Sequence, residues 1–196
     1  MAKPLDKKFY SQPTLDLAKA LLGCKLFKET PEGTASGIIV ETEAYIGPGD
    51  RAAHSFGNRR TKRTEIMFGE PGITYMYTMH THRLFNVVSG EKDNPEAILI
   101  RAIEPVDGTE LMEERRPKAK SRIQWTNGPG KLTQALGITM DDYGHPLGSS
   151  PLWITEGYKP DQDSISAGPR IGIHNSLEAV DYPWRFWITG NKYISK

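Results

Sequence analysis

Glu41, Glu43 and Tyr45 alternate along Val40-Glu41-Thr42-Glu43-Ala44-Tyr45, and His54 follows after a short break, in Asp50-Arg51-Ala52-Ala53-His54. That order lines up a carboxylate, an aromatic ring and an imidazole at the end of one strand. A period of two sends Glu41, Glu43 and Tyr45 to one face, and Ile38, Val40, Thr42 and Ala44 to the face that meets the core. Gly47-Pro48-Gly49-Asp50 then breaks the strand, which would leave the carboxylates at its mouth beside a loop. A site of this kind can bind a substrate and hydrolyse it. Acids two positions apart on a strand are separated by about 7 Å, within the range of inverting sugar hydrolases, so a carbohydrate glycosidase using Glu41 and Glu43 is one reading.

Three further groups of residues carry potential chemistry. Tyr75 and Tyr77 share a strand face, either as packing or, with Tyr45, as rings that sandwich a flat ligand such as a nucleobase. Met79-His80-Thr81-His82-Arg83 reads as a hairpin tip. His80 and His82 could form half of a metal site, but zinc needs further ligands at fixed places and the remaining histidines are scattered. A wedge pressed between stacked bases is the more economical use of an exposed Met79-His80 pair. Asn127-Gly128-Pro129-Gly130-Lys131 opens a helix whose free amides, with Lys131, could meet a phosphate, although the spacing is not that of a nucleotide-binding P-loop.

Composition narrows the class. The chain has 196 residues, 37% hydrophobic and 25% charged, enough for one well-buried core. Lys and Arg number 25 against 24 Asp and Glu, so net charge names no partner, but its distribution does. Arg51, Arg59, Arg60, Lys62 and Arg63 form one basic stretch, and Arg115, Arg116, Lys118, Lys120 and Arg122 form another. Each is a solvated face or, beside aromatic residues, a contact for a nucleic-acid backbone. A damaged-DNA binding module without catalysis would use the same features. Cys24 is the single cysteine and reads as a small buried hydrophobe. The polar start, Met1 to Lys8, and the lack of a long apolar run point to a cytoplasmic protein with no membrane contact.

The elements that must position these residues are mostly strands: Cys24 to Lys28, Gly37 to Tyr45, Ile73 to Met79, Leu84 to Val88, Glu96 to Ile103, Arg170 to Ile173 and Trp184 to Ile188. Helices are expected from Pro13-Thr14 to Gly23, over Thr109 to Arg116, and over Pro129 to Leu136 with Gly137 as the stop. The order predicts an α+β single domain: a curved, mostly antiparallel sheet with a protruding hairpin, surrounded by helices.

Several of these residues recur together in a known pattern: Glu41-Thr42-Glu43-Ala44-Tyr45-x-Gly47-Pro48, Ala52-Ala53-His54, Met67-Phe68, Pro71-Gly72, Tyr75-x-Tyr77, Asn86, Arg101-Ala102-x-Glu104-Pro105, Gly128-Pro129-x-Lys131-Leu132 and Arg170-x-Gly172. In this the chain resembles the alkyladenine, or 3-methyladenine, DNA glycosylases, from about Phe9 to about Gly190, with the whole chain as one such domain. The resemblance implies a monofunctional base-excision enzyme that flips damaged purines out of double-stranded DNA and acts as a monomer without metal or organic cofactor. It assigns water activation to Glu43, helped by Arg101 and the backbone carbonyl of Ile171. The walls of the base pocket fall to Tyr45, His54 and Tyr77, and rejection of the guanine 2-amino group falls to Asn86. Arg59, Arg60 and Lys131 are the expected DNA contacts. The family wedge is a tyrosine in a Tyr-Gly-Met hairpin; here the hairpin is a residue shorter, and His80 aligns best with it, Met79 next.

Overall fold

Nine strands, β1 (Lys25–Thr30), β2 (Gly33–Tyr45), β3 (Thr74–Met79), β4 (His82–Ser89), β5 (Glu96–Asp107), β6 (Gly148–Ser149), β7 (Leu152–Thr155), β8 (Ile165–Gly168) and β9 (Arg185–Ile188), form one sheet in the computed structural model. It describes residues 3–195; Met1 and Ala2, part of the polar start, and Lys196 lie outside the described residues. Every strand pairing is antiparallel, in the order β3-β4-β5-β2-β1-β7-β6, with β9 joining β2 and β8. The single-domain α+β expectation is borne out. Among the described residues the five α-helices are α1 (Lys7–Tyr10), α2 (Thr14–Ala20), α3 (Thr109–Arg115), α4 (Ile123–Thr126) and α5 (Pro129–Leu136).

β2 organises the sheet. Its first half pairs with β1 from Gly33 to Ile38, and on that same edge Glu41, Thr42 and Glu43 pair with β9 instead. A strand that changes partner half-way forces the sheet to split and curl. On its other edge β2 runs along β5, where Ile39 faces Ile103, Glu41 faces Ala102 and Thr42 faces Ile100. Val40 and Arg101 therefore bulge out of the ladder in succession, and the two slips cancel. Bulges bend a strand and re-aim its side chains. This is why the simple alternation expected for β2 fails: Ile39 is core, Ile38 is half-buried, and both glutamates are as buried as Val40 and Ala44.

Helices cover the curl. α2 packs on β2, where the buried Thr42 hydroxyl donates to the Ala18 carbonyl at 2.8 Å. α5 packs on β4 and β5; its Gly130 lies so close to His82 that a Cβ there would sit 2.6 Å from it, and its Thr133 hydroxyl donates to the Arg83 carbonyl at 2.8 Å. The C-terminal end of α5 turns at Gly137 (φ 77°), and Arg115 Nη1 donates to the Leu136 carbonyl at 2.9 Å, a cation where the helix dipole favours one.

Two expectations are corrected. The hairpin tip lies at His80-Thr81, because Met79 pairs with His82 and leaves a two-residue turn in which His80 takes a left-handed φ of 56°. His82 and Arg83 belong to β4. Residues 170–173 form no strand: Gly172 has a φ of 80°, and the Arg170 side chain is drawn inward to an ion pair. The short α1, α4, β6, β7 and β8 carry too few residues for a periodic signal.

Gly108 joins β5 to α3 with a φ of 66°, and a Cβ there would fall 2.5 Å from the Thr34 carbonyl oxygen. Gly108→Ala is expected to destabilise the protein by about 2 to 4 kcal/mol, from left-handed strain and backbone overlap together. Urea denaturation should show a lower midpoint at unchanged slope.

Candidate active site

Four charged side chains meet at the paired bulges. Glu41 and Glu43 are fully buried, and Arg101 spans both, with Nε 3.2 Å from Glu41 Oε1 and Nη1 3.3 Å from Glu43 Oε1. Arg185 of β9 reaches Glu41 Oε1 at 3.1 Å. The neighbouring Ser195 donates to Glu41 twice, from its amide at 2.6 Å and its hydroxyl at 2.9 Å. Removing carboxylates from water is tolerable only with compensation of this kind.

The two acids differ in what they can do. Every oxygen of Glu41 is engaged, so the strand holds it as a structural anchor and not at an open mouth. A paired-carboxylate sugar hydrolase needs both acids at the substrate, and this geometry withholds one. Glu43 instead sits directly behind a cavity: Tyr45 Oη donates to its Oε2 at 2.8 Å, the Ile171 amide donates to its Oε1 at 2.7 Å, and Tyr45, Arg101 and Ile171 all line that cavity. Burial pushes the Glu43 pKa up, against Arg101, the Ile171 amide and the Tyr45 hydroxyl, while Glu41 adds to the rise. The part of Ile171 that meets Glu43 is thus its N–H.

A strap, residues 171–178, closes one side of this cavity. Arg170 holds both of its ends. Its guanidinium is fully buried, pairs with both oxygens of Asp50 at 2.5 and 2.8 Å, and donates to the Ala44 and Ala179 carbonyls. It also lies between two rings, 4.7 Å from the centre of Tyr45 and 5.0 Å from that of Trp184. Asp50 in turn accepts from the amides of Ile46 and Ala52, so one ion pair fixes the loop after β2, the Tyr45 ring and the strap together.

The cavity encloses about 370 Å³ and is walled by Tyr45, His54, Tyr75, Tyr77, Asn86 and Arg101. His54 meets Tyr77 edge to face, with ring centres 4.6 Å apart, and its Nδ1 lies 2.8 Å from the Tyr75 hydroxyl. Both tyrosine rings therefore pack and line the cavity at once. Burial raises the Tyr45 pKa well above the ordinary value and pushes Tyr77 up to about 12, so these hydroxyls stay protonated. Asn86 is buried and donates from Nδ2 to the Tyr75 carbonyl at 3.1 Å, which commits the amide nitrogen to the hairpin. A larger groove of about 1130 Å³, between α2, β9 and residues 156–160, contains none of the residues singled out by spacing.

At the rim, Met79 lines the cavity and is 46% exposed, while His80 is exposed at the turn beyond it. Pro129 brings the start of α5 to the same rim, but Lys131 there is half-buried and donates to Asn127 Oδ1 at 2.8 Å. Arg59 is exposed, and with Arg63 it acts electrostatically on His54. Arg60 is paired to Glu65 at 2.6 Å and stacked 4.6 Å from the Phe68 ring centre. In the second basic stretch Arg115, Arg116 and Arg122 bond to neighbouring carbonyls and amides, as clamps within the fold. Among the described residues no cluster of three or more His, Cys, Asp or Glu surrounds His80 and His82. The partners that sequence reasoning missed are Asp50 for Arg170, Arg185 and Ser195 for Glu41, and Tyr75 for His54. Asp50 and Arg170 are 120 residues apart, and no local spacing couples them.

Comparison with known proteins agrees in direction. A family profile described as methylpurine-DNA glycosylase (MPG) matches residues 8–192. The chain is 67% identical over 194 residues to a Bacillus licheniformis protein named "Putative 3-methyladenine DNA glycosylase", covering 99% of this chain and 97% of that one. Proteins of the same name from Bacillus subtilis and Oceanobacillus iheyensis are 66% identical over 193 residues and 57% over 194, covering 98% and 99% of this chain and 97% and 96% of theirs.

Burial, then the positive charges of Arg63 and Arg59, lower the His54 pKa from 6.5 to about 4. The folded ring is therefore neutral where the unfolded ring takes a proton. The stability it contributes is fully present above pH 6.5 and is lost as pH falls from 6.5 toward about 4. NMR of the His54 ring protons should show no titration between about pH 5 and 8; a midpoint near the ordinary histidine value would contradict this burial.

Proposed function

The chain belongs to the methylpurine-DNA glycosylase family, and from that premise we propose that it releases alkylated or deaminated purines from duplex DNA by hydrolysing their N-glycosidic bonds. The substrates we assign are 3-methyladenine, 7-methylguanine, hypoxanthine and ethenoadenine. The whole chain serves as one glycosylase domain, works as a monomer, and uses its own side chains. One observation carries the reading: among the described residues Glu43 is the carboxylate whose partners, Tyr45 and Ile171 by hydrogen bonds and Arg101 by an ion pair, all line an aromatic cavity.

The chemistry follows from that placement. A purine extruded from the stack enters the cavity between Tyr45 and the His54-Tyr77 wall, at an extrusion cost of about a few kcal/mol that is smaller for poorly paired bases. Cleavage of the bond from C1′ to the base sends its electron pair to the base and leaves positive charge on the sugar. Glu43 stabilises that charge and accepts a proton from the water whose oxygen bonds to C1′. Arg101 opposes the rise in pKa that burial imposes on this carboxylate. The Ile171 amide occupies Glu43 Oε1 in the free protein, so water reaches that oxygen as the strap adjusts around the extruded nucleotide. A methylated, cationic base is both a better leaving group and a better partner for electron-rich rings. Met79 or His80 fills the gap left in the duplex, and Arg59, Arg60 and Lys131 meet phosphates, the last two after giving up their present partners.

Duplex containing methylated purines, incubated with the protein, should release free purine; binding without release would leave a DNA-binding module, and cleavage of oligosaccharide would restore the sugar hydrolase. Glu43→Gln should abolish release while keeping lesion binding within about tenfold, since the amide keeps the shape and loses the base function. Asn86→Ser should raise excision of unmodified guanine, most from mispairs. With its Nδ2 tied to the Tyr75 carbonyl, the Asn86 amide excludes the 2-amino group by shape, at a cost of about a few kcal/mol. A folded Asn86→Ser protein that still excises hypoxanthine but gains nothing on guanine would remove this role.

A further inference from the structure

Ser195 does not line the cavity, yet its hydroxyl stands at the junction of the ion pairs behind Glu43. A hydroxyl has one proton and two lone pairs. The proton is donated to Glu41 Oε1 at 2.9 Å, and the oxygen accepts twice from Arg101, from Nε at 3.2 Å and from Nη2 at 3.0 Å. The Ser195 amide holds the other oxygen of Glu41 at 2.6 Å, and the residue is buried. One edge of the Arg101 guanidinium is thereby clamped between Ser195 and Glu41. The remaining nitrogen, Nη1, is the corner that faces Glu43 at 3.3 Å.

We infer that Ser195 is a positioning residue for base excision: its hydroxyl fixes the rotation of the Arg101 fork so that Nη1 stays on Glu43. The inference rests on the proposed role of Glu43 as the carboxylate that activates water. Without the hydroxyl, Arg101 loses one acceptor and the two hydrogen bonds it takes, and gains freedom to turn its fork onto Glu41 as a bidentate pair, the geometry guanidinium and carboxylate favour. Nη1 would then leave Glu43.

The groups that face Glu43 make the direction of the effect clear. Glu41 and Tyr45 come from β2, Tyr77 from β3, Arg101 from β5, the Ile171 amide from the strap, and Arg185 of β9 acts through Glu41. Among the influences that hold the Glu43 pKa down, Arg101 is the largest. Weakening its contact raises the pKa, so the carboxylate is protonated at a higher pH and the acid limb of base release moves up.

The test is single-turnover release of purine from methylated duplex as a function of pH, with lesion-DNA binding and thermal melting measured alongside. Ser195→Ala and Ser195→Cys should shift the acid limb upward by about half to one pH unit with binding unchanged, and Ser195→Thr, which keeps a hydroxyl, should follow the wild type. A purely structural role would lower the melting temperature and leave the limb in place. The inference is overturned if the limb stays put in both folded variants that lack the hydroxyl, or if Ser195→Thr moves as far as Ser195→Ala. Glu43→Gln distinguishes the two levels: if it still releases purine, the role of Glu43 and this inference fall together, whereas an inactive Glu43→Gln with an unmoved limb removes Ser195 alone.

Discussion

A carboxylate held wholly out of water must be compensated in place, and this fold is arranged around that requirement at Glu43. Compensation comes from three directions: a guanidinium from β5, a phenol from β2, the strand that carries Glu43, and an amide from the strap. Arg101 reaches both glutamates because it bulges from β5 beside the bulge at Val40, and β9 brings Arg185 because β2 changes partner there. The local irregularity of the sheet is thus the means by which charge is gathered at one point.

The same principle separates two acids that look alike in sequence. Glu41 takes four donors and serves as the counter-ion that allows Arg101 to be buried and Arg185 to be half-buried. Glu43 has fewer fixed partners, and each of them borders the cavity. Burial also keeps the ring-bearing walls uncharged, with His54 neutral and the tyrosines protonated. A flat, aromatic enclosure with a buried carboxylate behind it suits a flat guest whose positive charge can face that carboxylate.

Much of this was legible in the sequence, and the parts that were not have a common cause. Alternation in Tyr75-Met76-Tyr77 and Gly137 after Leu136 report local rules, and there β3 and α5 emerge where expected. The ordered motifs supplied the rest of the likeness, and they brought Tyr45, His54, Tyr77, Asn86, Arg101 and Ile171 to one cavity. The bulges, the strap and the Asp50-Arg170 pair depend on residues far apart in the chain, whose partnership no period records. Arg170 reads as one more strand residue until its buried partner is known. In the second basic stretch, likewise, no local spacing announces that Arg115 bonds carbonyls at the end of α5.

Arg170 also sets the boundary conditions for the strap. By bonding the Ala179 carbonyl from its own position at the other end, it closes residues 171–178 at the neck and leaves the segment between them mostly exposed, with Leu177 66% accessible. A loop closed at its base is thermodynamically insulated from the core, since lengthening it adds only about 0.6 kcal/mol per doubling of its length. Beyond Ile171, whose amide holds Glu43, its sequence and its length can therefore change without unsettling Tyr45 or the sheet. Past Ile171 the strap is in this sense an exchangeable cassette, a place where the rim of the cavity can be altered while the carboxylate and its arginine stay intact.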